Sequence, residues 1–203
     1  GQGTVTLTAA NTYTGVTNVN QGVLNIQNAA ATGTTAGGVV VSSGAALQIQ
    51  GGITVGAEAL TLNGTGNAND GALRSMSGAN IWQGAVALGM AAAVGAESGS
   101  SVTLSGIVSG AYDLSKVGPG TLIFSGTSAN TNSGVTRVIA GELDLSKTAA
   151  LNAFAGVLII GDGIGGLGAD IVKLINANQI PTVNVTINNS GKLDLNGLAE
   201  TIS

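Results

Sequence analysis

The chain has 203 residues, of which 44% are hydrophobic and only 8% charged, with ten acidic side chains against six basic ones. It has no histidine and no cysteine, which excludes disulfides, Cys/His zinc sites, thiol nucleophiles and imidazole bases. Lys and Arg form no cluster able to replace phosphate counterions, so no nucleic-acid partner is expected.

In chain order, residues 3–8 alternate small β-branched and apolar side chains, as a strand does. Residues 11–15 read as a turn built on Asn and Gly. Strands follow over 17–19 and 23–27, then a small-residue loop over 29–36. Residues 38–41, 46–50, 53–55 and 60–62 continue as short strands separated by turns of two to five residues, and 65–71 is a longer polar loop. The rhythm resumes over 73–76, 85–88, 102–104, 107–108 and 112–114. The mostly apolar run over 85–96 is interrupted by glycines. It is far short of the ~20 residues a bilayer span needs, so this segment is not expected to insert in a membrane. After a loop over 146–153, residues 157–160 form the most apolar strand. Residues 170–178 are the one stretch with a helical pattern: Ile171, Leu174 and Ile175 share a helical face, with Asp170 as cap and Pro181 beyond. Strands over 183–187 and 192–195 close the chain.

Gly, Ser and Asn are dispersed rather than pooled into a linker, so 1–203 reads as one repeat domain. The chain starts inside a repeat with neither Met nor a charged-then-apolar leader, and it reads as a piece of something longer.

That repeat is the strongest signal. The spine Gly3-Thr4, Asn11-Thr12-Tyr13-Thr14-Gly15, Thr17, Val19, Gly22, Leu24 returns as Gly120-Thr121, Asn130-Thr131-Asn132-Ser133-Gly134, Thr136, Val138, Gly141, Leu143. The copies span 1–28 and 118–147, with a two-residue insertion before Asn130. A weaker copy over 78–88 carries Asn80, Trp82 and Gly84, with Trp82 standing where Tyr13 stands. Units that cannot bury their own apolar face indicate a solenoid. Asn-Gly hairpin signals are rare, only Asn63-Gly64 and Asn196-Gly197, and five aromatics are too few for a typical sandwich core. The expected fold is therefore all-β, a parallel β-helix of about nine coils, forming a rod on the order of 40 Å long.

These residues resemble the autotransporter-associated β-strand repeat, also called the passenger-associated transport repeat. Gly3 to Leu7, Asn11 to Gly15, Thr17, Val19, Gly22 and Leu24 carry the resemblance. From Gly120 to Leu143 it returns, with Asn132 replacing the aromatic. The resemblance implies a right-handed parallel β-helix in a bacterial surface or secreted protein, often adhesin-like, whose repeat helps passenger folding or export.

Four patterns invite a chemical reading, and each has a plainer one. Gly161 to Gly166 fits G-x-G-x-x-G, but 34 glycines make chance matches easy and no β-α alternation surrounds it. Gly165 to Val172 fits the calcium-binding nonapeptide, which works only in tandem copies. Asp113, Asp144 and Asp194 sit in similar strands and would share one face of the rod. An acid/base pair for a polysaccharide-active enzyme would need such a face, although outward positions that tolerate charge account for them. The sequons at Asn63, Asn184 and Asn188 are read as accidental.

No catalytic, cofactor or metal site is expected. The expected function is a structural, adhesin-like rigid segment of an extracellular or cell-surface protein. The alternatives are a fibre or sheath subunit stacking end to end, and, less favoured, a polysaccharide-active enzyme. Expected partners are other copies of the chain and cell-surface or matrix glycans.

Overall fold

Short strands with alternating apolar residues can bury one face only by stacking on a neighbour. Here every such neighbour is parallel. The computed structural model describes residues 2–202. Among them there is no helix, and the strands stack as a β-solenoid of three faces. The second face is the most complete, with nine strands in one ladder from Thr4–Leu7 through Gly22–Ile26, Ala45–Gln50 and Leu73–Ser77 to the far end of Val86–Ala96. It then continues through Leu114–Val117, Thr136–Val138 and Leu158–Ile160 to Val185–Ile187. Nine strands on one face make about nine coils.

The first face holds Thr17–Val19, Val39–Val41, Leu60–Gly64, the start of Val86–Ala96, and Val108–Ser109. Beyond Val108 its coils remain stitched by single backbone bonds, such as Thr131 N to Val108 O at 2.8 Å and Ala155 N to Asn132 O at 3.0 Å. The third face runs from Thr54–Val55 through Ala79–Trp82, Ser101–Leu104, Thr121–Gly126 and Gly141–Lys147 to Asp170–Leu174 and Gly191–Asp194.

Parallel register aligns like side chains into rows along the bore. On the second face Leu24, Leu47, Leu73, Val94, Lys116, Val138 and Ile160 succeed one another. On the third face Trp82, Leu104, Phe124, Leu145 and Leu174 do the same. All of these except Leu24 are at most 1% exposed. Each large apolar member contributes roughly 1.5–3 kcal/mol by leaving water. One member of the first row, Lys116, is a cation.

Residues 170–178 contain no helix. Asp170–Leu174 is a strand, because Val172 and Leu174 fall in register on Leu143 and Leu145 and extend the buried rows. The alternation of a strand outweighs the i, i+4 spacing. The apolar run over 85–96 is one strand of eleven residues, Val86–Ala96, that passes from the first face to the second. The two Asn-Gly dipeptides join no hairpin.

Candidate functional site

The repeat spine is a set of hydrogen bonds that hold one coil to the next. Asn11 donates its backbone N–H to Ala30 O at 2.9 Å and its side-chain Nδ2 to Ala31 O at 2.7 Å. Asn130 does the same one coil on, N–H to Asn152 O at 2.9 Å and Nδ2 to Ala153 O at 2.8 Å, while its Oδ1 accepts from Val108 N at 2.9 Å. Gly22 and Gly141 turn the next corner in the same left-handed conformation, φ 69° and 72°. That backbone region favours glycine.

The copies occupy different faces. In the first, Thr17–Val19 lies on the first face and Gly22–Ile26 on the second. In the other, Thr136–Val138 lies on the second face and Gly141–Lys147 on the third. Successive coils here are 22 residues apart, as between Lys116 and Val138. An offset of 119 residues is therefore not a whole number of coils, and the motif has advanced by one face. The weak copy has not advanced. Residue 84 lies three coils above residue 15, because Thr17, Val39, Leu60 and Val86 are in register on one face.

Backbones pack closely at several glycines two residues before these strands. A Cβ on Gly84 would lie 1.7 Å from Glu58 O, on Gly106 2.1 Å from Gly84 O, and on Gly37 2.2 Å from Gly15 O. On the other face a Cβ on Gly134 would meet Tyr112 O at 2.2 Å and one on Gly156 Gly134 O at 2.0 Å. Gly120 is similarly tight, 2.2 Å from Glu97 O, whereas Gly3 and Gly15 face open space.

The aromatic position differs between copies. Tyr13 is 41% exposed, its ring lying against Gly33 and its hydroxyl sharing a hydrogen bond with Thr17 Oγ1 at 2.8 Å. Trp82 is wholly buried within a strand, and its Nε1 donates to Glu58 O at 2.8 Å. Asn80 is buried beside it, accepting from Ile53 N at 2.9 Å and donating to Ser75 Oγ at 2.8 Å.

The three aspartates considered for catalysis are not assembled into one site. Asp144, Lys173 and Asp194 form one outward row on the third face, so a lysine stands between the two carboxylates. Two coils separate them, on the order of 10 Å. Asp113 lies at the second face, accepting from Val135 N at 2.9 Å and paired with Arg137 at 3.4 Å. Burial and the neighbouring Glu142 push Asp144 up to about 7, against the pull of Lys173. Lys192 and the backbone of Asn196 hold Asp194 below its ordinary value. A carboxylate with a depressed pKa is a poor proton donor near neutrality. Among the described residues no group of three or more acidic side chains is placed to hold a metal ion.

Several buried ionisable groups lie outside the repeat spine. Lys116 donates from Nζ to the carbonyls of Val117, Gly118 and Ala140 at 3.0, 2.7 and 2.8 Å, and Lys147 to Gly106 O at 3.2 Å. Burial lowers both lysines to about 8. Burial also raises Glu58, whose Oε2 accepts from Thr32 Oγ1 at 2.5 Å. Strand alternation carries the signal for the lysines: Lys116 has the parity of Leu114, and Lys147 that of Leu143 and Leu145.

The family model of the passenger-associated transport repeat matches the chain over residues 1–26 and 114–145. Those are the two coil assemblies that share the Asn, Thr and Gly geometry above. No curated protein and no solved structure matches the chain.

Proposed function

We propose, from the two passenger-associated transport repeats the chain carries, that it is a structural segment of a secreted or cell-surface passenger: a stiff, non-enzymatic spacer of adhesin type. The supporting observation is that both matched copies are built into one continuous ladder of nine parallel strands, its register shifting once, between Ile49 and Gln50. Each coil is bonded to the next through main chain and Asn side chains, so the rod resists bending and the repeat propagates it. The exterior carries few charges, and its Thr, Asn and Gln rows suit weak multivalent contacts with glycans.

Surface display tests this reading. The chain is fused to an autotransporter membrane barrel in a bacterial host and its exposure is measured by protease accessibility. The wild-type chain is expected at the surface in protease-resistant form, and Gly134→Val, which breaks the second copy, is expected to be largely lost from it. Equal display of both would overturn a role for the repeat in export.

End-to-end assembly is a second reading, supported by the outermost described strands of the second face. Thr4–Leu7 and Val185–Ile187 each pair on one side only, and Val5 and Ile187 are 59% and 51% exposed. Where such strands are left as edges, their matching direction favours head-to-tail stacking. Light scattering of the 203-residue chain across a concentration series decides it: rising mass supports a fibre, and constant monomer mass rejects it.

A further inference from the structure

At the corner joining the second face to the third, successive coils use connections of very different length. Residues 118–120 and 139–140 make the turn in two coils, whereas the next coil uses residues 161–169. Both feet of this longer connection stand on Ser190. Asp162 N and Gly163 N donate to its Oγ at 3.1 and 2.9 Å, and Asp170 N donates to its carbonyl at 3.0 Å. The tip between them stands away from the rod, with Ile164 and Leu167 72% and 91% exposed. Its hydrogen bonds are local, Ile164 N to Asp162 Oδ1 at 2.8 Å and Ala169 N to Gly166 O at 3.4 Å. Among the described residues no hydrogen bond joins 164–168 to a neighbouring coil.

An endopeptidase takes its substrate as an extended segment, so main chain already bonded to a neighbour must first open. Other long connections are bonded in this way. Residues 27–38 are tied to Asn11 and Tyr13, residues 148–157 to Asn130 and Asn132, and residues 175–184 to Ala199 and Glu200. The loop over 65–71 is exposed at 67–69, but these residues are Asn and Ala and offer no large apolar side chain. In residues 164–168 a free main chain and an exposed apolar side chain coincide. Gly166 and Gly168 flank Leu167 at φ 92° and 70° and let the segment straighten at little cost.

We propose that residues 164–168 are a proteolytic processing site, cut between Leu167 and Gly168 by an endopeptidase with an apolar S1 pocket. Water adds across that amide: its oxygen joins the Leu167 carbonyl carbon to give a carboxylate, the C–N bond breaks, and Gly168 leaves as an ammonium. The rod outlasts the cut. Leu158–Ile160, before it, pairs with Val185–Ile187, after it, and Gly141–Lys147 pairs with Asp170–Leu174 in the same way. Two ladders therefore cross the nick, and Val172 and Leu174 stay wholly buried between coils. The product is one rod made of two chains.

The test is limited digestion of the folded 203-residue chain with chymotrypsin, with the fragments identified by mass over time. That enzyme's pocket prefers aromatic residues, so sequence alone would direct it to a tyrosine. Tyr13 and Tyr112 are 41% and 50% exposed, but their main chain is engaged. Tyr13 O accepts from Thr34 N, and Gly110 O and Asp113 O beside Tyr112 accept from Ser133 N and Ala92 N, each at 2.9 Å. The first cut is expected after Leu167, giving fragments 1–167 and 168–203 that elute together at intact size in native buffer and apart in urea. Leu167→Asp, its folding verified by melting temperature, is expected to slow that cut at least about tenfold. A first cut anywhere else, an unchanged rate in Leu167→Asp, or fragments that separate without denaturant would each overturn the proposal.

Discussion

Asn132 donates from Nδ2 to Thr136 Oγ1 at 3.2 Å, bridging the same four-residue span that the Tyr13 hydroxyl bridges to Thr17 Oγ1 at 2.8 Å. The side chain changed between copies and the bond across the corner did not. Its setting did change, because Asn132 and Thr136 are at most 1% exposed while Tyr13 is 41% exposed. Asn132 Oδ1 already lacks a partner. Replacing Thr136 by the isosteric Val therefore removes the acceptor of a buried amide. Thr136→Val is expected to lower stability by about 1–3 kcal/mol, and Thr17→Val by less than about 1 kcal/mol. Urea unfolding of the two variants measures the difference, and equal losses would show that the corner bond is worth the same wet or dry.

Glycines at one place in the repeat do not have one role. A Cβ at Gly84 would sit 1.7 Å from the Glu58 carbonyl oxygen, a contact that only backbone movement could relieve. A Cβ at Gly15 would meet nothing within 4 Å. Gly84→Ala is expected to cost at least about 2 kcal/mol, as overpacking against main chain does. Gly15→Ala is expected to be neutral or to stabilise slightly, by restricting the unfolded chain. Thermal melts of both variants check this pair, and a neutral Gly84→Ala would mean the coils can separate locally at little cost.

Trp82 carries both apolar volume and a buried donor. It stacks in register on Leu104, and its Nε1 satisfies the Glu58 carbonyl. Truncation to Ala is expected to cost about 3–5 kcal/mol through the cavity alone. Trp82→Phe restores much of the volume but leaves that carbonyl unpaired, and is expected to recover part of the loss. Full recovery in chemical unfolding would assign the whole effect to packing.

Much of this architecture is legible in the sequence because parallel stacking converts repetition directly into rows. The spacing of Gly, Asn, Thr and Val gives the coils, and Leu24, Leu47 and Leu73 read as core from alternation alone. The phase of the repeat is not legible from one copy. Only the register shows that Thr136 has moved to the face occupied by Gly22–Ile26. At residues 170–178, apolar spacing fits a helix as well as a strand, and the partner strand Gly141–Lys147 decides between them. Asp144 and Asp194 do share a face, but Lys173 between them is 29 residues from one and 21 from the other, a distance set by unequal loops.

The buried ionisable groups predict an unusual dependence of stability on pH. Lys116 and Lys147 fall from 10.5 to about 8 on folding, mainly through burial. Between those values the unfolded chain holds more protons than the folded one, so stability rises with pH. The lysine contribution is thus full above 10.5 and lost as pH falls through about 8. Asp144 has the opposite sign: its pKa rises from 3.8 to about 7, so its contribution is full below 3.8 and lost as pH rises through about 7. Glu58, raised from 4.5, acts in the same direction as Asp144. Asp194, lowered from 3.8, acts only in more acidic solution. Together these groups place a minimum in stability near pH 7 to 8, with gains on both sides. Urea midpoints measured at constant ionic strength from pH 5 to 10 are expected to trace that dip. Lys116→Met and Lys147→Met together should flatten its alkaline side, and Asp144→Asn its acidic side. A single maximum near neutrality in the wild-type chain would show that these groups are hydrated in the folded state.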